Sequence, residues 1–243
     1  MYKGDLGGDR SGLAQSAIHA GSGFVDGFVF YLANTEPYSF FLQYATYKIR
    51  KDATSVYPFV FNDIMGLASH GGVQEEDVKL ALKGHIKEGY KFNPESPISP
   101  DRNEFYNESP TSKDTVHLLV CVVPADKIIL LQDKMKEKLR KIRKDASELN
   151  IPQVVIITKI DQFCPEIEED LKNVYKVADL KIKMETFSAD VGVPMNCIFP
   201  VKNYHEEIAL KDEVDSLILC ALRSIINFCD DFIHFSHSRY EPV

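Results

Sequence analysis

Three short stretches of this sequence put chemistry-bearing residues just past apolar runs. Tyr57 to Asn62 leads into Asp63-Ile64-Met65-Gly66, Gln153 to Ile157 leads into Thr158-Lys159-Ile160-Asp161, and Asn196 to Val201 leads into Lys202-Asn203-Tyr204. One carboxylate can accept two adjacent N–H donors at once, the pair that guanine offers at N1 and N2 and adenine lacks, so Asp161 is a candidate base reader. Lys159 can lay its aliphatic stem over a ring while its ammonium stays in water. Thr158 offers a hydroxyl for holding loops together, with fewer donors than an asparagine. Asp63 can hold Mg²⁺ through water, because hard cations take oxygen ligands. Gly66 lets a backbone N–H approach an anion where a side chain would obstruct it. Asp161 also fits a simpler role, an N-cap for the helical stretch that opens near Pro165.

These residues need elements to position them. "TYKIR" and "YPFVFNDI" read as strands, and "TVHLLVCVV" and "QVVIIT" read as strands buried on both faces. "NCIFPV" reads as a last strand. Helical stretches lie between them: "VQEEDVKLALKGHIKEG", a basic stretch over 125–149, "PEIEEDLKNVYKVA" with Pro165 in its first turn, and a long amphipathic helix over 211–235. The alternation predicts an α/β fold, a mostly parallel sheet with helices on both faces. Ligands of such sheets bind at the carboxyl ends of the strands, where the three motifs fall. The proline-rich stretch 93–114 is long enough to be a functional insertion.

Composition narrows the choice. The 243 residues carry a formal net charge of -8, with no basic excess to neutralise phosphates, so neither nucleic acid nor an anionic membrane is expected as partner. The basic side chains from Lys134 to Lys144 read first as a solvated helix face. Five scattered cysteines without CxxC spacing point to a reducing compartment. Residues 1–20 lack a signal-peptide core, and "FVDGFVFYLA" is too short to span a bilayer. The seven histidines show no ligand spacing, and neither GxSxG nor HExxH occurs, which leaves an α/β enzyme of another class the weakest reading.

In chain order the three motifs resemble the ligand loops of P-loop GTPases. From about Ser39 to Phe235 the chain also resembles the interferon-induced protein 44 family, through "SFFLQYATYKIR", "PFVFNDIMGL", "LKGHIKEGYKFNPESPIS", "TVHLLVCVV", "VVIITKID", "GVPMNCIFPVKNY" and "LILCALRSIINFCDDF". The resemblance implies a P-loop GTPase-like central domain, an interferon-induced, antiviral and antiproliferative association, and a cytoplasmic location. Members often carry an additional N-terminal domain. It implies guanine binding by Thr158, Lys159, Asp161, Lys202 and Asn203, and phosphate and Mg²⁺ binding by Asp63 and Gly66. It divides the chain into a divergent glycine-rich segment 1–38, a GTPase-like domain 39–236 and a tail 237–243.

The phosphate loop departs from the family. Gly7 to Gly12 gives GxxxxG, but Leu13 and Ala14 stand where a lysine and a serine or threonine belong. The buried strand that should precede it is missing or degenerate, and "FVFYL" is a possible replacement in the sheet. Seven of the 13 glycines precede Phe28, so a flexible or non-native N-terminus is the plain reading of residues 1–38. Leu67 follows Gly66 where many GTPases place a glutamine, with His70 a possible substitute. The expectation is a guanine-nucleotide-binding-like protein with weak or no hydrolysis, GTP or GDP and Mg²⁺ being its possible ligands. The alternative is a pseudo-GTPase scaffold without nucleotide. Protein partners are expected, through 93–114 and the basic helix.

Overall fold

A computed structural model describes residues 27–33, 43–68, 71–101 and 103–238, with side chains to residue 236 and, in the first segment, backbone only. Gly7, Gly12 and His70 lie outside the described residues.

Six strands form one sheet in the order β2-β3-β1-β4-β5-β6. They are β1 (Gly27–Ala33), β2 (Ala45–Arg50), β3 (Val56–Asp63), β4 (Leu118–Pro124), β5 (Gln153–Thr158) and β6 (Ile198–Pro200). β2 runs antiparallel to β3 at one edge, and every other pairing is parallel. β1 pairs β3 through Tyr31 and Asp63 and β4 through Leu32 and Cys121. "FVFYL" therefore enters the sheet between β3 and β4.

Period-two alternation splits the apolar strands between two cores. Leu118, Val120, Val122 and Val154 pack with Ile225 and Cys229 of α6 (Asp212–Ser238). Leu119, Val123, Val155 and Ile157 face the other way, toward α1 (Glu75–Leu82), α2 (Asp133–Glu148) and α5 (Ala178–Val191). Helices thus cover both faces, as the continuous apolar strands require.

Several helices differ from expectation. α1 stops at Leu82 because Gly84 takes φ +83, and a Cβ there would sit 2.7 Å from the Asp114 backbone. The basic stretch opens as a short 3₁₀ turn, Ala125–Lys127, and becomes α-helical only at Asp133. The acidic stretch after Pro165 gives only α4 (Pro165–Glu169) and a 3₁₀ turn, where Asp170 Oδ1 accepts from Lys172 N at 3.0 Å. α5 was not anticipated, although Leu180, Met184, Phe187 and Val191 recur at helical spacing and are all buried. Burying a side chain such as Phe187 contributes about 1.5–3 kcal/mol. Gly192 closes α5 at φ +83, and Arg143 Nη1 donates to the Val191 carbonyl at 2.7 Å.

The insertion is pinned to the body. Ile98 N donates to the buried Asp77 Oδ1 at 2.7 Å, Lys87 N to Phe105 O at 2.9 Å, and Asn107 N to His85 O at 2.7 Å. Among the described residues no helix is long and apolar enough to cross a membrane.

Candidate functional site

The turn after β5 is set by burial. Ile160 is fully buried and opens α3 (Ile160–Phe163), which pulls the chain down into the core directly after Thr158. Lys159, between them, takes φ 55 and ψ 35 and is exposed. A left-handed non-glycine residue costs on the order of 1–3 kcal/mol and persists where its surroundings over-determine it. The other described case, Asn150 at φ 59, follows the end of α2, an ordinary place for asparagine. Asp161 lies in the first turn of α3, and the helix that opens at Pro165 has Cys164 at its N-cap position, so the N-cap role does not describe Asp161.

Asp161 faces Lys202, which follows β6. Val201 N donates to Ile157 O at 2.8 Å, extending the ladder and holding the two loops side by side. Lys202 Nζ stands 3.7 Å from Asp161 Oδ2 and also binds Glu207 Oε1. The three side chains are only 14%, 18% and 11% exposed for Lys202, Asp161 and Glu207. Glu207 is clamped further by His205 N at 2.9 Å and Glu206 N at 3.3 Å. Chiefly through the Lys202 ammonium, and then the His205 backbone N–H, its carboxyl falls from the usual 4.5 to about 2. Tyr204 ties this loop to α6, its hydroxyl meeting Asp215 Oδ1 at 2.7 Å and accepting from Lys211 N at 2.8 Å.

Lys202 therefore joins Asp161, whereas the exposed Asn203 turns its amide oxygen onto Tyr204 N at 2.9 Å. Glu207 escaped the sequence reading, because only the folded loop brings it to Lys202.

Asp63 ends β3, three inter-strand steps from β5, about 14 Å sideways, and its register carries through Tyr31 and Val120 to Val154, four residues before Thr158. Burial raises its carboxyl from 3.8 to about 6, against a lowering hydrogen bond from Ile64 N. The following loop is closed on itself. Val73 N donates to Gly66 O at 3.1 Å, and Lys138 Nζ of α2 donates to Ala68 O at 3.0 Å. Gly72 has φ +82, and a Cβ there would lie 2.6 Å from Ala68 N and 2.8 Å from Gly66 O. Leu67 points into the core at 3% exposure.

The basic helix is largely spent on internal contacts. Lys136 pairs with Asp190 at 2.7 Å, Lys141 with Glu75 at 2.5 Å, and Arg140 Nε donates to Asp190 O at 2.6 Å.

No protein-family model matches the chain. Among curated proteins, interferon-induced protein 44 of Mus musculus is 31% identical over 192 residues, which cover 79% of this chain and 45% of that protein. The Homo sapiens protein of the same name is 31% identical over 193 residues, 79% of this chain and 43% of that protein. Homo sapiens interferon-induced protein 44-like is 30% identical over 195 residues, with the same 79% and 43%. The chain spans less than half the length of these curated relatives. Over the matched 79% of its length it belongs to the interferon-induced protein 44 / 44-like family.

Proposed function

We propose that this chain is a guanine-nucleotide-binding-like protein of the interferon-induced immune response, acting in the cytoplasm with weak or absent GTP hydrolysis. The observation that carries the reading is the meeting of Asp161 and Lys202, from the loops of two neighbouring strands, 3.7 Å apart beside the left-handed Lys159. Lys202 approaches one oxygen of Asp161, and a carboxylate has about four lone-pair sites, enough to accept N1–H and N2–H of guanine as well. Lys159 is exposed and free to cover the base plane.

The topology supports a P-loop GTPase-like reading. The chain runs from β1 to β2 and β3 on one side and to β4, β5 and β6 on the other, so the switch point lies beside β1. Ligands of open α/β sheets bind at that crevice. A nucleotide with its base at Asp161 would send its phosphates along the rim toward Asp63. Asp63 is suited to hold Mg²⁺ through water, because a cation there would offset the charge that burial disfavours. Bound Mg²⁺ would supply charge neutralisation at the phosphates. Leu67, buried after Gly66, cannot orient a water, which supports slow or absent turnover. The interferon-induced role is carried over from the names of the relatives.

The test is calorimetry of GDP and GTP, with and without Mg²⁺, on the native chain and on Asp161→Asn. The expected result is guanine-selective binding that the substitution weakens about tenfold or more, since a site built to pair two donors loses most when one acceptor is replaced. Binding that Asp161→Asn leaves unchanged would place the base elsewhere. No binding to a folded chain would favour the scaffold, working through protein contacts.

A further inference from the structure

We propose that Ser99 is a phosphorylation site for a proline-directed kinase, and that a phosphate there frees the insertion from α1. The insertion holds three Ser-Pro pairs, Ser96-Pro97, Ser99-Pro100 and Ser109-Pro110, and all three serines are exposed. Such a kinase buries the residue that follows the acceptor serine, and proline, having no N–H, leaves no orphan donor there. Ser99 is also followed three residues on in the sequence by Arg102, the spacing at which such kinases take a cation. After Ser96 and Ser109 that place is held by Ser99 and Ser112. Local structure separates the three as well. Ser96 Oγ accepts from Asn93 Nδ2 at 3.0 Å, in a turn where Asn93 Oδ1 accepts from Glu95 N. Ser109 N donates to Asn107 Oδ1 at 3.3 Å, just ahead of the turn in which Asp114 binds Thr111. The Ser99 hydroxyl accepts only a long contact from Asp101 N, at 3.4 Å, among the described residues. Residues 97–99 form no helix, strand or turn, which suits an extended peptide entering a kinase cleft.

The residue before Ser99 is an anchor of the insertion. The Ile98 side chain is 5% exposed, and its N–H donates to Asp77 Oδ1 of α1 at 2.7 Å. Asp77 is 0% exposed, and its Oδ2 has no hydrogen-bond partner among the described residues. The carboxylate is thus poorly compensated, and Glu76 adds a second negative charge near it. A phosphate on Ser99 brings a charge of about −1.5 to −2 to within one residue of this anchor and repels both carboxylates. The step is phosphoryl transfer. Ser99 Oγ bonds to the γ-phosphorus of ATP, the bond from that phosphorus to the ADP oxygen breaks, and the hydroxyl proton passes to the kinase's base. The site does not rest on the nucleotide reading.

The experiment treats the ¹⁵N-labelled full chain with a cyclin-dependent kinase and Mg·ATP and maps the phosphate by mass spectrometry. Exchange of the Ile98 amide is then followed by NMR at pH 7.5, where Asp77, its carboxyl raised to about 6 by burial, is ionised. Phosphate is expected on Ser99 ahead of Ser96 and Ser109. Pro100→Ala should slow its addition about tenfold or more, the effect of one orphan donor. The phosphorylated chain should exchange the Ile98 amide about tenfold faster than the unmodified chain. In Asp77→Asn that acceleration should shrink, because the facing charge is gone. No phosphate on Ser99, an unchanged rate in Pro100→Ala, unchanged Ile98 exchange after phosphorylation, or the same acceleration in Asp77→Asn would overturn the assignment.

Discussion

Replacing Glu207 with glutamine tests whether the Asp161–Lys202–Glu207 cluster is built as described. Glutamine keeps an oxygen for the backbone N–H groups of His205 and Glu206 but withdraws the charge that holds Lys202. A fall from 4.5 to about 2 is worth about 3 kcal/mol at ~1.4 kcal/mol per unit. Discounted for solvent screening at the sheet rim, that leaves roughly 1–2 kcal/mol. The sign follows from linkage. The folded pKa is depressed, so the stabilisation is complete above 4.5 and fades as pH falls from 4.5 toward 2, where native Glu207 becomes as neutral as glutamine. Urea unfolding of both chains at pH 7, 4.5 and 3 should give a stability gap of roughly 1–2 kcal/mol at pH 7 that narrows at pH 3. Gaps of equal size at all three values, or none at pH 7, would refute the ion pair as the source.

Asp77 should give the opposite pH dependence. Its buried carboxyl is raised to about 6 by desolvation, so the native chain loses stability as pH rises from about 4 to 6, and the penalty is complete above 6. Asp77→Asn should therefore gain on the native chain by roughly 1–3 kcal/mol between pH 4 and pH 7.5 in urea unfolding, and a pH-independent difference would contradict this. Gly72→Ala forces a Cβ against the Ala68 nitrogen and the Gly66 carbonyl at φ +82, so it should cost about 1–3 kcal/mol of stability. A neutral effect in the same assay would mean that the loop after Gly66 is free to rearrange.

The strands and their order of use were legible because their signals are local. Val154 to Ile157 and Leu118 to Val123 are unbroken β-prone runs, and each proved to be a strand buried on both faces. α6 was legible for the same reason, with a long apolar stripe and acids in its first turn. α5 was equally periodic but was missed, because its first residue was absorbed into the helix expected after Pro165, and Lys183 interrupts the apolar face. That lysine is buried, its ammonium 4.2 Å from the Phe163 ring centre. Glu207 carried no local signal, since its meeting with Lys202 depends on how the loop closes against α6.

The two ends of the candidate nucleotide site differ in how their charges are met, and this bears on affinity. At the base end Asp161, Lys202 and Glu207 compensate one another at 11–18% exposure, so the acceptor is held in place before any ligand arrives. Preorganised groups give most of their interaction energy to binding, because little ordering is left to be done. At the phosphate end the requirement is reversed. Three or more negative charges need cations, yet Lys138 is spent on the Ala68 carbonyl, and the lysine of a phosphate loop is absent from the Gly7–Gly12 register. Asp63 adds a further negative charge there unless Mg²⁺ accompanies the nucleotide. Selectivity for the base can therefore outlast strong binding of the phosphates. In that case the affinities of GDP and GTP would lie close together, with Asp161 deciding both.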